Sequence, residues 1–320
     1  MRSTTLLELA EQYRVRLPSA LTSGEPPQLR ATDERGWFRF QRLYDIARSM
    51  VRTPDDIRRL LLEAAQDEAA DGSGWLEIQV EPSTYARRIG TLSDTVDLIL
   101  DACRQASEAT GVGIGLILAA NRTRHPLDAR TLARLAARYA GHGVVGFGLS
   151  NDERRGTAAE FERAFRIAHQ AGLLAVPHAG ELLGARSVRE ALELLDAHRI
   201  GHGVRAVEDP RLVERLAESG VTLEICPASN VALGVAGSQA EVPVRRLFEA
   251  GVSIALGADD PLLFGSGLGA QYELARSEHG FGDAELAELA RQSIRGSAAP
   301  EDVRKRLLAG VDAWLAEEPV

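Results

Sequence analysis

The sequence predicts an α/β fold, a TIM (β/α)8 barrel whose first strand is missing from the 320-residue chain. Three observations predict it. Short strand-like runs alternate with helical segments at a spacing of about 25–35 residues, the rhythm of parallel βαβ units. The strand interiors are near-continuous apolar runs, as expected where helices cover both faces of a sheet. Several strands end on ionisable residues, and open sheets and barrels keep their chemistry at those ends. A doubly wound open sheet is the competitor. It is weakened because no G-x-G-x-x-G turn opens a helix and because the polar endings are spread over several strands.

In order, STTLLELAEQY (3–13) opens a helix with Glu8 three residues after Thr5, a capping-box pattern. Residues 17–36 hold Pro, Ser and Gly and read as a loop, and 38–68 reads as helix, with Phe40, Leu43, Ile46 and Ala47 at helical spacing. WLEIQVEP (75–82), bounded by Gly74 and Pro82, is the first strand visible. Helices at 91–109, 129–140, 158–172, 187–197, 209–220 and 242–251 then alternate with strands at 112–120, 144–150, 173–181, 199–204, 221–227 and 252–260. That makes seven strands where a barrel needs eight. Because the chain opens on a helix, the missing strand is most naturally the first. The whole chain reads as one domain: N-terminal helices over 1–70, seven βα units over 74–260 and closing helices over 261–320.

Hydrophobic content of 45% and charged content of 26% are those of a soluble protein with ample core. A net charge of −9 argues against a nucleic-acid or anionic-membrane partner, either of which needs clustered positive charge. No apolar run is long enough to span a bilayer, and no signal-peptide core follows Met1, so a cytoplasmic location is expected. Cys103 and Cys226 make no disulfide framework and suit a reducing compartment. The only lysine, Lys305, lies in a terminal helix, which leaves neither Schiff-base chemistry nor a carbamylated bridging lysine a candidate.

Three strands end in groups able to bind a metal or move a proton. VPHAGE ends on His178 with Glu181 three residues on, RIGHGV carries His202, and SIALGADDPLLF ends on Asp259 and Asp260. In a barrel these converge on one mouth. Singly, each has a plain alternative: a core histidine, a helix-capping glutamate, an Asp-Asp-Pro turn. Together they offer what a hydrolytic zinc site needs, a neutral imidazole and a carboxylate as ligands and a proton carrier beside the metal. His178 and Asp259 suit the ligand role and Glu181 or His202 the proton role. His125, His142, His169, His198 and His279 lie in helices or loops and read as structural.

HAGE (178–181), RIGHG (199–203), CPASN (226–230) followed by LG (233–234), and GADDPLLFG (257–265) resemble, in order, the motifs of the adenosine deaminase family of the amidohydrolase superfamily. LEIQVEP and VGFGLSNDE fit as well, and the resemblance runs from about residue 5 to the end. It implies a TIM-barrel hydrolase with one Zn²⁺ that replaces a purine amino group by oxygen and releases ammonia, with adenosine or deoxyadenosine as substrate. His178 would ligate zinc, and Asp259 would ligate it and touch the attacking water. Glu181 would deliver a proton to the ring nitrogen beside the attacked carbon. His202 would orient and help deprotonate the water, and Asp260 would hydrogen-bond a purine imidazole nitrogen.

Two departures stand out. The family opens with a strand carrying His-x-His, two further zinc ligands, whereas the first histidine here is His125. That strand is expected upstream of Met1. The rival expectation is a metal-free, non-catalytic purine-binding relative. Asn151 stands where the adenosine-specific members carry a glycine whose backbone faces the purine; a side chain there reshapes the pocket and sets against adenosine the substrates of related family members, adenine, aminodeoxyfutalosine or methylated adenine nucleotides.

Overall fold

The computed structural model describes residues 1–23, 29 and 33–317. Seven strands lie in sequence order in one curled sheet: β1 (Trp75–Val80), β2 (Gly113–Asn121), β3 (Val144–Ser150), β4 (Leu174–Ala179), β5 (Arg199–His202), β6 (Thr222–Ile225) and β7 (Ser253–Leu256). Every neighbouring pair is parallel. Among the described residues the outer edges of β1 and β7 pair with no strand, so the sheet is a half-barrel of the expected type.

Helices α1 (Ser3–Gln12), α2 (Glu34–Arg48) and α3 (Pro54–Ala70) precede β1, and α4 (Ser83–Ile89) and α5 (Leu92–Thr110) follow it. Then α6 (Pro126–Arg138), α7 (Ala158–Gln170), α8 (Ala185–Leu194) and α9 (Pro210–Ser219) follow β2 to β5 in turn. Between β6 and β7 lie α10 (Pro227–Ala232) and α11 (Val244–Glu249). The chain closes with α12 (Pro261–Phe264), α13 (Leu268–Ser277), α14 (Asp283–Gly296) and α15 (Glu301–Ala316).

Apolar strand residues bury against amphipathic helices. Leu116, Leu118 and Phe147 pack on Val96, Leu132, Phe161 and Phe165, with the Phe147 and Phe165 rings edge-on at 5.2 Å. Ile200, Leu223 and Ile254 pack on Val188, Leu216, Leu247 and Leu289. Each such side chain contributes about 1.5–3 kcal/mol when fully buried. A third cluster sets Leu6, Leu9, Trp37 and Leu43 of α1 and α2 against Leu182, Leu233, Leu263 and Phe264. Those four follow the carboxyl ends of β4, β6 and β7, so the first two helices roof the mouth.

Toward the other end of the sheet an ionic cluster crosses the barrel interior. The buried Arg199 guanidinium of β5 pairs with Glu77 of β1 and, at 2.8 Å, with Glu224 of β6. Glu77 also accepts from the Trp75 indole at 2.9 Å and the Ala298 amide at 2.7 Å, and Arg199 donates to the Gly296 carbonyl at 3.0 Å.

The structure corrects several local expectations. The helix read over 38–68 is two helices, because Thr53 and Asp56 form a capping box around Pro54 and restart the chain. The expected Thr5/Glu8 box is not made: α1 starts at Ser3, the Thr5 hydroxyl is buried against Glu63 at 2.6 Å, and Glu8 pairs with Arg59. The segment read as a loop over 17–36 contains a 3₁₀ turn at Ser19–Leu21, and α2 begins within it at Glu34. Its residues 24–28 and 30–32 lie outside the described residues.

Candidate active site

At the carboxyl ends of the strands, backbone register sets the first pair of functional groups. His178 pairs with Gly201 and Ala179 with His202, which puts the ends of β4 and β5 side by side. The two imidazoles meet edge-on with centroids 5.0 Å apart. Glycine is required at 201, since a Cβ there would lie 2.5 Å from the His178 ring. The backbone is forced at three of the singled-out positions. Asn151, His202 and Asp259 sit in the left-handed region at φ 78°, 66° and 57°. Non-glycine residues rarely hold that conformation unless surrounding structure imposes it, and such positions cluster at functional sites.

Glu181 is 5% exposed and His202 4%, and the Glu181 Oε1 lies 3.7 Å from the His202 Nε2. The His202 Nδ1 is buried without a hydrogen-bond partner among the described residues. Asp259 reaches the same group: His202, Cys226 and Asp259 each bring a donor atom within 4.8 Å of the others. The Ser229 hydroxyl donates to the Asp259 carboxylate at 2.6 Å, leaving that otherwise exposed side chain oriented. So the tips of β4, β5 and β7 bring together His178, Glu181, His202 and Asp259. The Asp-Asp-Pro turn is present, with Asp260 at the residue before α12 and Pro261 at its first position, while Glu181 caps no helix. The Asp260 side chain makes no cap on α12, and α8 is preceded by Gly184 rather than Glu181.

Burial, and then the neighbouring His202 and Arg122, hold the His178 pKa well below its ordinary 6.5, which favours the neutral ring. Burial pushes the Glu181 carboxyl up to about 7. Burial alone would lower His202, but the Glu181 and Asp259 carboxylates outweigh it and raise the pKa. Asp260 is pushed up by burial and by the adjacent Asp259. Burial raises the phenol pKa of the part-buried Tyr44 of α2 and Tyr85 of α4, and Asp260 adds to the rise at both. The Asn151 side-chain carbonyl accepts from the Asp152 amide at 2.7 Å.

Several residues around the cluster were not singled out in the sequence. The Gln79 amide lies 3.2 Å from the His178 Nε2. Arg122, 5% exposed, donates to the His178 carbonyl and, at 3.2 Å, to that of Gly156. Cys226 and Ser229 lie in the CPASN string and Glu153 in GLSNDE, so their motifs were visible while their contacts were not. Gln79 had a local signal, the alternation Glu77, Gln79, Glu81 through β1 and the residue that follows it. Two of the remaining histidines do structural work. His125 accepts from the Leu127 amide at the start of α6, and His198 accepts from the Ala175 amide, both at 3.1 Å.

The side chains within reach of one another, His202, Cys226 and Asp259, offer imidazole, thiol and carboxylate donors of the kind a divalent metal such as zinc takes; the His202 Nδ1 is unpartnered among the described residues, and the His178 ring lies beside that of His202. Comparison with known proteins agrees in kind. A putative adenosine/adenine deaminase of Streptomyces virginiae is 68% identical over 315 residues, 98% of this chain and 93% of the relative. The crystal structure of adenine deaminase from Arthrobacter aurescens superposes with a TM-score of 0.89 at 30% identity, covering 99% of this chain and 95% of that one. An amidohydrolase from Burkholderia ambifaria with bound Zn has a TM-score of 0.86 at 26% identity, covering 98% and 87%. The family model described as adenosine deaminase matches residues 1–314. By fold, by the residues at its strand tips and by this match, the chain belongs to the adenosine deaminase family of hydrolytic deaminases.

Proposed function

We propose that the protein is a zinc-dependent aminohydrolase that converts adenosine or deoxyadenosine, with water, to the 6-oxopurine nucleoside and ammonia. One observation carries the reading: a carboxyl that holds its proton to about 7 lies 3.7 Å from an imidazole at the strand tips, with the Asp259 carboxylate alongside. Replacing an aromatic amino group by oxygen requires a proton on the ring nitrogen next to the attacked carbon, because only then does that carbon accept an oxygen nucleophile. Glu181 is the group that can hand that proton over near neutral pH. His202 orients the attacking water and takes its proton. The Asp259 carboxylate accepts a hydrogen bond from the same water, and Ser229 holds it in place.

His178 and Asp259 would hold the metal, which would supply Lewis acidity toward the attacking water. Asp260, with its raised proton affinity, donates to an unprotonated ring nitrogen of the purine and fixes its orientation. Gln79 and Arg122 hold His178 from its side chain and its carbonyl.

A second reading, the free base adenine, is favoured by the name of the Arthrobacter aurescens structure and by the side chain at Asn151. Ammonia release from adenosine, deoxyadenosine, adenine and aminodeoxyfutalosine separates the two. The purified protein releases ammonia from at least one of these, and Glu181→Gln lowers that rate by at least about 10³-fold without loss of metal. Wild-type turnover by Glu181→Gln removes Glu181 from the proton-delivery role. No turnover of any aminopurine by a metal-loaded protein removes the deaminase reading.

A further inference from the structure

The turn Gly180–Leu183, which carries Glu181, is gripped by one buried carboxylate, Glu153. It is 4% exposed and comes from the loop between β3 and α7. Its Oε1 accepts from the Gly180 amide at 2.6 Å and from the Ser187 hydroxyl. Its Oε2 accepts from the amides of Glu181 at 3.1 Å, Leu182 at 2.7 Å and Leu183 at 2.9 Å. Four consecutive peptide N–H groups and a hydroxyl thus converge on one anion at the start of α8, a backbone nest filled by a side chain of the protein itself. The carbonyl side of the same segment is held by cations. Arg122 donates to the His178 carbonyl, and Arg205 to that of Leu182 at 2.6 Å. Gly180 has φ 71°, and a Cβ there would lie 2.3 Å from Val188, so the turn can close only around glycine.

From this geometry we infer that Glu153 is a positioning residue: it fixes the turn that aims the Glu181 carboxyl at the reacting ring, and so sets the rate of proton delivery rather than substrate affinity. The inference rests on the deaminase reading above. A neutral amide at 153 keeps the shape of the side chain but replaces one acceptor oxygen with an N–H₂ that confronts peptide N–H groups. The turn then shifts, while His178, His202 and Asp259, borne on β4, β5 and the end of β7, stay in place. A displacement of about 1 Å in a reacting group lowers rates on the order of 10²-fold.

The test uses the full, metal-loaded protein. Glu153→Gln is expected to lower kcat about 10²-fold with KM within about twofold of wild type and metal content unchanged. Ser187→Ala, which removes one of the five bonds, is expected to lower kcat several-fold at constant KM. Amide hydrogen exchange supplies a readout independent of activity: Gly180 to Leu183 are protected in the wild type and exchange at least about 10-fold faster in Glu153→Gln, while the strand amides do not. A folded Glu153→Gln with wild-type kcat overturns the inference, as does a variant in which KM rises and metal is lost in step with kcat. If Glu153→Gln does not fold, Ser187→Ala decides, and an unchanged kcat there overturns it. A wild-type protein that deaminates no purine yet shows the localised exchange change places the failure in the deaminase reading and leaves the anchor standing.

Discussion

At the scale of single residues, the site is defined by side chains whose proton affinities run against their types. Glu181 keeps its proton to about 7, against an ordinary 4.5, because burial penalises its charge. A general acid whose folded pKa is raised is competent below that value and loses its proton above it. The kcat/KM profile is therefore expected to fall as pH rises through about 7, and a profile flat from about pH 6 to about pH 9 removes Glu181 as the acid. The same sign governs stability. A raised pKa means that the folded state binds the proton more tightly, so the contribution is present at low pH and lost as pH rises through the window from 4.5 to about 7. The thermal midpoint of Glu181→Gln is expected to vary less over that window than that of the wild type. Asn151 carries a second residue-scale prediction. Its left-handed backbone at φ 78° is one that glycine adopts without strain, so Asn151→Gly keeps the loop and removes only the side chain. If that side chain sets the choice of substrate, the ratio of kcat/KM for adenosine over adenine rises by about 10-fold in the variant. An unchanged ratio frees Asn151 of that role.

At the scale of elements, polar residues inside the barrel serve two ends. Glu77 and Gln79 of β1 and Glu81, the residue after it, alternate along the chain. The first joins the Arg199 cluster, the second touches His178, and the third pairs with Arg124 at 3.1 Å. This period of two was readable as a polar stripe facing the barrel interior, although the strand was read as an apolar run. What could not be read was its partners, because Arg199 is 122 residues from Glu77 and only the curling of the sheet brings them together. Arg199→Met leaves the Glu77 and Glu224 carboxylates inside the barrel without their cation. Removing one partner of such a buried cluster costs about 3–5 kcal/mol, to be read by denaturant unfolding. A loss under about 1 kcal/mol would show the cluster to be well solvated. The same limit of legibility runs through the fold. The strand order and the ionisable strand ends followed from local pattern, because each depends on a few adjacent residues. The break at Thr53–Pro54 was missed although its signal, a hydroxyl before a proline with an acid three residues on, was present. Thr5 failed as a cap because tertiary contact with Glu63 claimed its hydroxyl. Glu153 was invisible as an anchor because its partners are peptide N–H groups, which no sequence distinguishes.

At the scale of the whole molecule, His178, His202 and Asp259 come from three strand ends, and no local segment holds more than one of them. The arrangement exists only while the sheet is curled, so a metal that bridges two of these ends binds the folded state and not the unfolded chain. Folding and metal binding are then linked: at a free metal concentration 100 times the dissociation constant, stability rises by about 2.7 kcal/mol. Titration with Zn²⁺ is therefore expected to raise the thermal midpoint of the protein, and a chelator to return it to its starting value. If His178 is a metal ligand and Glu181 a proton carrier, as proposed, His178→Ala should abolish the rise, whereas Glu181→Gln should keep it. This pattern separates two proteins with the same fold. In a zinc hydrolase the metal stabilises the chain and turnover follows metal content. In a purine-binding relative without metal chemistry, purines raise the midpoint, Zn²⁺ does not, and His178→Ala leaves the response to purine unchanged.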